Sequence, residues 1–320
     1  MKVIIIGATG GTGSYLVDYL ADRGIAVVAT GRRPMPEKFR GKVEAYHQVD
    51  IAKEGDFEQL PTEGIDACVH LAATMPSRME GYRPKEYFSV NIDGTHNVLE
   101  YCRSVGVGKV VFTQTVRDIS GHWTDNPRVH ADMPRKYSLT GDHAVYLISK
   151  NAAVDLVEHY YQEYGIARFI LRLPTIYMYE EYPYFCVDGV KRMYAWWGLI
   201  EQARRGDTME IWGDPKKGKD IVYVDDFCQI VHKALLHEGD GGVYNVGAGR
   251  MVSLEEQICT MAEVFGGETK PEIVQRPDMP DAREYLMDVE KTKRDLGYEP
   301  QYVDYRKILE KIKEVEESAT

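Results

Sequence analysis

Three apolar residues, Ile4-Ile5-Ile6, run directly into Gly7-Ala8-Thr9-Gly10-Gly11-Thr12-Gly13. Such a cluster predicts a strand, a tight turn and a helix N-terminus in immediate succession. The spacing is G-x-x-G-x-x-G, on Gly7, Gly10 and Gly13. Without side chains, the backbone can approach a ligand closely. The first N–H groups of the helix, at its positive dipole end, then face an anion such as a pyrophosphate. The bland alternative is a turn that is merely tight. Its place at the head of the first βα unit favours a dinucleotide, with Gly7, Thr9, Gly10, Gly11, Thr12 and Gly13 as candidate contacts.

The alternation continues. Lys2–Ile6, Ala26–Thr30, Val43–Val49, Ala67–Leu71, Lys109–Thr115 and Ala167–Leu171 are apolar or β-branched runs, as expected of strands covered on both faces. Helical patterns near Thr12–Arg23, Lys85–Ser104 and His143–Tyr164 separate them. This predicts an α/β protein with a Rossmann-type, doubly wound parallel sheet. After about Arg172 the rhythm breaks into an aromatic stretch, Tyr177–Trp197, without a clear strand. Helices are expected near Gly189–Arg205, Asp225–Leu236 and Ser253–Phe265, the last opened by a Ser253/Glu256 capping box. Strands are expected at Asp220–Val224 and Val243–Val246. The expected division is a dinucleotide-binding domain over 1–172 plus roughly 218–240, and a smaller C-terminal substrate-binding lobe over 173–217 and 241–320.

The 320 residues carry a formal charge of −11, with 44% hydrophobic and 28% charged residues. That balance argues against nucleic acid or an anionic membrane as partner. No apolar run is long enough to span a bilayer, and Val3–Ile6 leads into glycines rather than a signal-peptide pattern. Five scattered cysteines without C-x-x-C spacing fit reduced thiols in the cytoplasm and no metal site.

About 20 residues past such a loop, NAD enzymes usually place an acid for the ribose hydroxyls. Here the second strand ends Ala29-Thr30-Gly31-Arg32-Arg33. The guanidiniums of Arg32 and Arg33 suit a 2′-phosphate, so NADP is preferred over NAD; two solvated loop arginines are the alternative. Asp50 and Ile51 follow the third strand as further cofactor candidates, Asp50 for the adenine.

Tyr146 and Lys150 are four residues apart in a helical pattern, so they share a face. Removing a hydride from a carbinol requires its O–H proton to leave, and the reverse step needs a proton donor. A free phenol, with a pKa of about 10, is a poor base near neutrality. Lowering it by about 3 units takes roughly 4 kcal/mol, which a neighbouring ammonium and a positive nicotinamide are expected to supply. Alone, Y-x-x-x-K means little. Here it follows a glycine loop and a strand ending Thr113-Gln114-Thr115, whose Thr115 hydroxyl is placed for the substrate oxygen.

At this point the sequence resembles an extended short-chain dehydrogenase/reductase of the NAD(P)-dependent epimerase/dehydratase type. The resemblance includes Val69-His70-Leu71-Ala72-Ala73, Asn91-Ile92-Asp93-Gly94-Thr95, Tyr223-Val224-Asp225-Asp226 and Leu296-Gly297-Tyr298-Glu299-Pro300, beside the motifs above. It implies a catalytic set of Thr115, Tyr146 and Lys150 with Asn91 in support, and Leu71, Ala72, Ala73 and Thr113 along the cofactor. It also implies nucleotide-sugar substrates and a homodimer through Lys85–Ser104 and His143–Tyr164. Thr74, Ser77 and Arg78, after the fourth strand, are substrate-loop candidates. Thr175 stands in a segment where the family usually has Asn-x-Tyr-Gly, and Lys219 where it has Arg. Arg276 and Arg283 match arginines that grip a diphosphate in relatives. Dehydratases and decarboxylases of the family carry carboxylates just after the triad hydroxyl. Val116-Arg117 stands there instead, which leaves epimerisation or simple oxidation and reduction.

Three functions compete: a nucleotide-sugar epimerase with no net cofactor use, an NADP-dependent reductase or dehydrogenase of a sugar or other ketone, and a non-catalytic NADP-binding regulator. The retained Tyr/Lys pair argues against the third.

Overall fold

The computed structural model describes residues 1–123, 127–141, 143–187 and 189–319. Among them, seven strands form one sheet: β1 (Lys2–Ile6), β2 (Ala26–Gly31), β3 (Ala45–Gln48), β4 (Ala67–His70), β5 (Lys109–Thr115), β6 (Ala167–Leu173) and β7 (Gly241–Asn245). Their order is β7-β6-β5-β4-β1-β2-β3, with every neighbouring pair parallel. The chain steps outward from β1 to β3, then restarts at β4 on the other side of β1. That reversal opens a crevice at the carboxyl ends of β1 and β4, where ligands bind in sheets of this kind.

Helices cover both faces. α1 (Gly11–Ala21) and α5 (Val224–Leu236) lie on one, α2 (Gly94–Ser104) and α3 (Ala144–Tyr164) on the other. Successive strand residues point to opposite faces, so Val3 and Ile5 enter the first core while Ile4 and Ile6 enter the second. All four are fully buried, each contributing about 1.5–3 kcal/mol of transfer free energy. This explains why the strand reads as a continuous apolar run rather than an alternating one. The chain also forms α4 (Ala195–Arg205), α6 (Leu254–Phe265), α7 (Glu290–Leu296), which packs on β7 and α5, and α8 (Tyr305–Ala319).

Several expectations need correction. Gly241–Asn245, assigned to the second lobe, joins the main sheet as β7. It pairs Val243 with Ile170, and Tyr244 stacks on Phe169, covering the open edge of β6. The helix expected from Gly189 begins only at Ala195. Tyr184–Val187 and Val190–Met193 form an antiparallel hairpin instead, with Gly189 at φ +74° in its turn. The strand expected over Asp220–Val224 divides into Gly218–Asp220 and Val222–Tyr223, which pair with different partners. Helix Lys85–Ser104 is broken by a π-helical segment, Tyr87–Asp93, before α2. Half of the capping box forms. The Ser253 hydroxyl accepts the Glu256 N–H at 3.1 Å, while the Glu256 carboxylate takes the Arg250 guanidinium.

Candidate active site

The β1–α1 turn is shaped by what it lacks. Gly7 sits at φ +91°, and a Cβ there would lie 2.8 Å from the Ala72 nitrogen. One on Gly13 would lie 2.4 Å from the Gly7 carbonyl oxygen. The turn is pinned to the end of β4 by the N–H groups of Leu71 and Ala72, which donate to the Ile6 carbonyl at 2.9 and 3.1 Å. Helix α1 starts at Gly11 with no side-chain cap on Gly10 and no acid in its first turn. A cradle that side chains would fill, at an uncapped helix start, fits a dinucleotide pyrophosphate.

At the end of β2, the Arg33 guanidinium donates to the Thr9 carbonyl at 3.1 Å, so this arginine reaches the glycine turn. Tyr46 and Gln48 hold the Arg33 and Arg32 carbonyls, and both guanidinium side chains are exposed. Asp50 shapes its own loop by accepting the Ala52 N–H at 3.2 Å. Ile51 is buried, and Asn97 donates to its carbonyl at 2.9 Å.

Thr113 and Thr115, two apart on β5, share a face. Buried Gln114 lies between them. Its amide donates to Asn151 of α3 at 3.1 Å, and its carbonyl accepts the Thr115 N–H at 2.9 Å. The strand end is thereby locked to the helix that carries Tyr146 and Lys150. Asn91, 2% exposed in the π segment, makes the second lock. Its side chain takes the Thr74 N–H at 2.8 Å, and its NH₂ donates to the Thr74 carbonyl at 3.0 Å and the Ser149 hydroxyl at 2.9 Å. π segments often mark such sites.

Tyr146 and Thr115 are brought together, the Thr115 side chain helping to hold the Tyr146 phenol down, while the Thr115 hydroxyl accepts the Arg117 N–H at 3.3 Å. The electrostatics differ from expectation. Burial pushes the Tyr146 phenol up to about 12, and the cation that does most to hold it down is Arg117, with Thr115 next. Lys150 is buried with its ammonium 4.0 Å over the Phe112 ring, and burial lowers it to about 7. Desolvation of both groups has outweighed the pairing that their spacing suggested. His70, behind them, is lowered to about 3 by burial and by Lys150, and meets Thr95 at 3.1 Å.

A cavity of 320 Å³ is lined by Pro76, Met79, Gly81, Tyr82, Tyr87, Gly141 and Gly189, and Tyr87 is its link to Tyr146. The Tyr87 ring lies 6.1 Å from that of Tyr146. Ser77 and Arg78 form the turn at its rim, Pro76–Arg78. Lys219 stands 5.7 Å over the Tyr177 ring, lowered to about 8 by burial and by Arg283 and Arg117 nearby. Thr175 lies beside Tyr285, the strand-bridge neighbour of Lys219, and partly offsets the rise that burial gives the Tyr285 phenol. Lys219, Arg283 and Thr175 thus gather in one place. Arg276 is instead held by two carboxylates, Asp278 at 2.9 and 3.0 Å and Glu210 at 2.8 Å.

Residues 3–247 match the NAD dependent epimerase/dehydratase family. The chain belongs to that family. It is an enzyme of the extended short-chain dehydrogenase/reductase type. The chain is 26% identical over 314 residues to a UDP-glucose 4-epimerase of Mycolicibacterium smegmatis, covering 94% of each chain. It is 27% identical over 311 residues to a dTDP-4-dehydro-6-deoxy-D-allose reductase of Streptomyces sp., covering 93% of this chain and 91% of that one. The solved UDP-glucose 4-epimerase of Thermus thermophilus, in complex with NAD, superposes over all of both chains with TM-score 0.76 and 25% identity. Among the described residues, no helix is long and apolar enough to cross a membrane.

The sequence reading passed over Glu180 and Tyr87, and took Arg117 only as a missing carboxylate. Arg117 lies two positions past Thr115 and was in reach of a reading by position. Glu180 had no local signal, because its neighbours come from 102 residues away.

Proposed function

We propose that this protein epimerises a sugar carbinol of a nucleotide-sugar through a transient ketone. The observation that carries the reading is the juxtaposition of half-buried Thr115, at the end of β5, with buried Tyr146 on α3, two elements locked together through Gln114 and Asn151. Thr115 orients the substrate oxygen. Tyr146 removes its proton in one half-reaction and restores it in the other. In its resting state Tyr146 is a phenol, ready to protonate a ketone oxygen, and the positive charge of Arg117 eases the reverse step. A dinucleotide on the Gly7–Gly13 turn would supply reversible hydride acceptance. Lys150 sits dry under that site, and Asn91 holds the Thr74 loop to α3. Lys219 and Arg283 bind the substrate diphosphate, with Thr175 beside them.

We assign NADP as the preferred cofactor on Arg32 and Arg33, with no acid at the end of β2 to take the ribose hydroxyls. The same two arginines favour a second reading, a reductase with net cofactor turnover. A homodimer through Lys85–Ser104 and His143–Tyr164 is supported by one large exposed apolar residue in each segment, Phe88 and Ile148.

A panel of nucleotide-sugars is incubated with the protein and either NADP or NAD, with products separated by chromatography and absorbance followed at the reduced-cofactor band. Epimer formation without net absorbance change is expected. Stoichiometric cofactor conversion with a reduced or oxidised product overturns epimerisation in favour of the reductase. A Michaelis constant clearly lower for NAD than for NADP overturns the cofactor preference.

A further inference from the structure

We infer that Glu180, acting through Arg78, latches the dinucleotide into its cradle. The inference rests on the cofactor reading above. The turn Pro76–Arg78 follows β4, whereas Glu180 belongs to the smaller lobe. Arg78 donates to the Glu180 carboxylate at 2.7 Å and to the Tyr184 carbonyl at 2.9 Å, and the Gly81 N–H donates to the Gly189 carbonyl at 3.1 Å. Three links therefore bridge the two regions. The bridge lies against the glycine turn. A Cβ on Gly11 would meet the Met178 Cε at 2.7 Å and a Glu180 carboxylate oxygen at 3.6 Å. Tyr15 of α1 donates its hydroxyl to the Tyr179 carbonyl at 3.2 Å. Glycine at position 11 is what makes room for Met178.

The carboxylate of Glu180 is 15% exposed and the guanidinium of Arg78 43%. Such a pair is less screened by water and salt than one wholly on the surface. The carboxylate also lies near the positive end of α1, which favours it there. Release of a dinucleotide from the turn requires this bridge to part. An enzyme that takes a hydride from a carbinol and returns it to the same substrate must keep its cofactor between the two half-reactions. Glu180 is on this account a positioning residue: it acts through Arg78 and takes no part in bond making.

The test is a release measurement. Wild type, Glu180→Gln, Arg78→Gln and the double variant are loaded with NADPH or NADH. Each is then chased with excess oxidised dinucleotide, and the loss of bound fluorescence gives the release rate. Each single variant is expected to release about three- to tenfold faster, and the double variant no faster than the quicker single. The charge-swapped pair Glu180→Arg with Arg78→Glu is expected to return most of the slow release. Release as slow as wild type in both singles, or effects that multiply in the double, overturns the latch while leaving the cofactor reading intact. A wild type that retains neither dinucleotide overturns the cofactor reading itself.

Discussion

The glycine turn and the Tyr146 pocket flank the same crevice but are made in opposite ways. At Gly7–Gly13 the chain offers backbone and excludes side chains, since a Cβ at Gly7 or Gly13 would stand inside 3 Å of a neighbour. At Tyr146 and Lys150 it does the reverse, forcing two ionisable side chains out of water until their proton affinities move toward the neutral forms. The first device costs little in the folded state, because uncapped helix N–H groups are solvated until a ligand arrives. The second is a standing cost: a dry lysine and a dry phenol destabilise the fold they serve. A site of this kind has a rigid anion cradle on one flank and a strained, charge-starved pocket on the other.

The largest effect expected across this contrast is on the strained flank. Tyr146→Phe should lower kcat by about 10³-fold or more, since general acid–base groups contribute roughly 10²–10⁴-fold. Dinucleotide affinity, measured by fluorescence titration, should stay within a factor of about 3 of wild type. Near-normal turnover would remove Tyr146 from the chemistry and leave a pocket with no function in the reaction.

Next comes Lys150→Met, expected to abolish turnover yet stabilise the ligand-free protein. The folded group loses its proton near pH 7 and the unfolded one at 10.5. Between those values the unfolded chain binds the extra proton, so wild-type stability rises with pH across pH 7–10.5 and carries the full cost below 7. The variant should lack that rise. At pH 7 it should gain on the order of 2–4 kcal/mol, read from urea unfolding at several pH values. A variant less stable than wild type at pH 7 would show that Lys150 is a favourable part of the apo structure.

The smallest effect is expected on the cradle. Gly13→Ala should cost about 1–3 kcal/mol of stability, because its Cβ meets backbone that cannot swing aside. It should also weaken dinucleotide binding at least roughly tenfold, about 1.4 kcal/mol. Unchanged affinity in a folded Gly13→Ala protein would break the comparison, since the absence of a side chain would then not be what makes the cradle.

Where the sequence was legible, the reason was locality. Strand β1 and strand β5 fall where the apolar runs begin and end, and α3 starts within a residue of the pattern that predicted it. The glycine turn is a property of a dozen consecutive residues whose backbone needs are written into their types. Thr115, Tyr146 and Lys150 were each proposed by position, and the structure puts Thr115 at the end of β5 and the other two on α3. What was missed lay between segments. The hairpin Tyr184–Met193 was hidden because it packs against the Pro76–Arg78 turn, about a hundred residues earlier in the chain. The placement of β7 was misread because an edge strand follows from the partner it covers, not from its own five residues.

The sequence by itself determined the sheet, the glycine turn and the placement of Tyr146 and Lys150 on one helical face, because those depend on period, glycine and a four-residue helical repeat. Only the tertiary structure decided the charge state of that pair, since desolvation is set by every neighbour that excludes water, and no spacing encodes it. The tertiary structure likewise brought Arg117 to Tyr146 and Glu180 to Arg78, contacts between segments that are free of one another until the chain is folded.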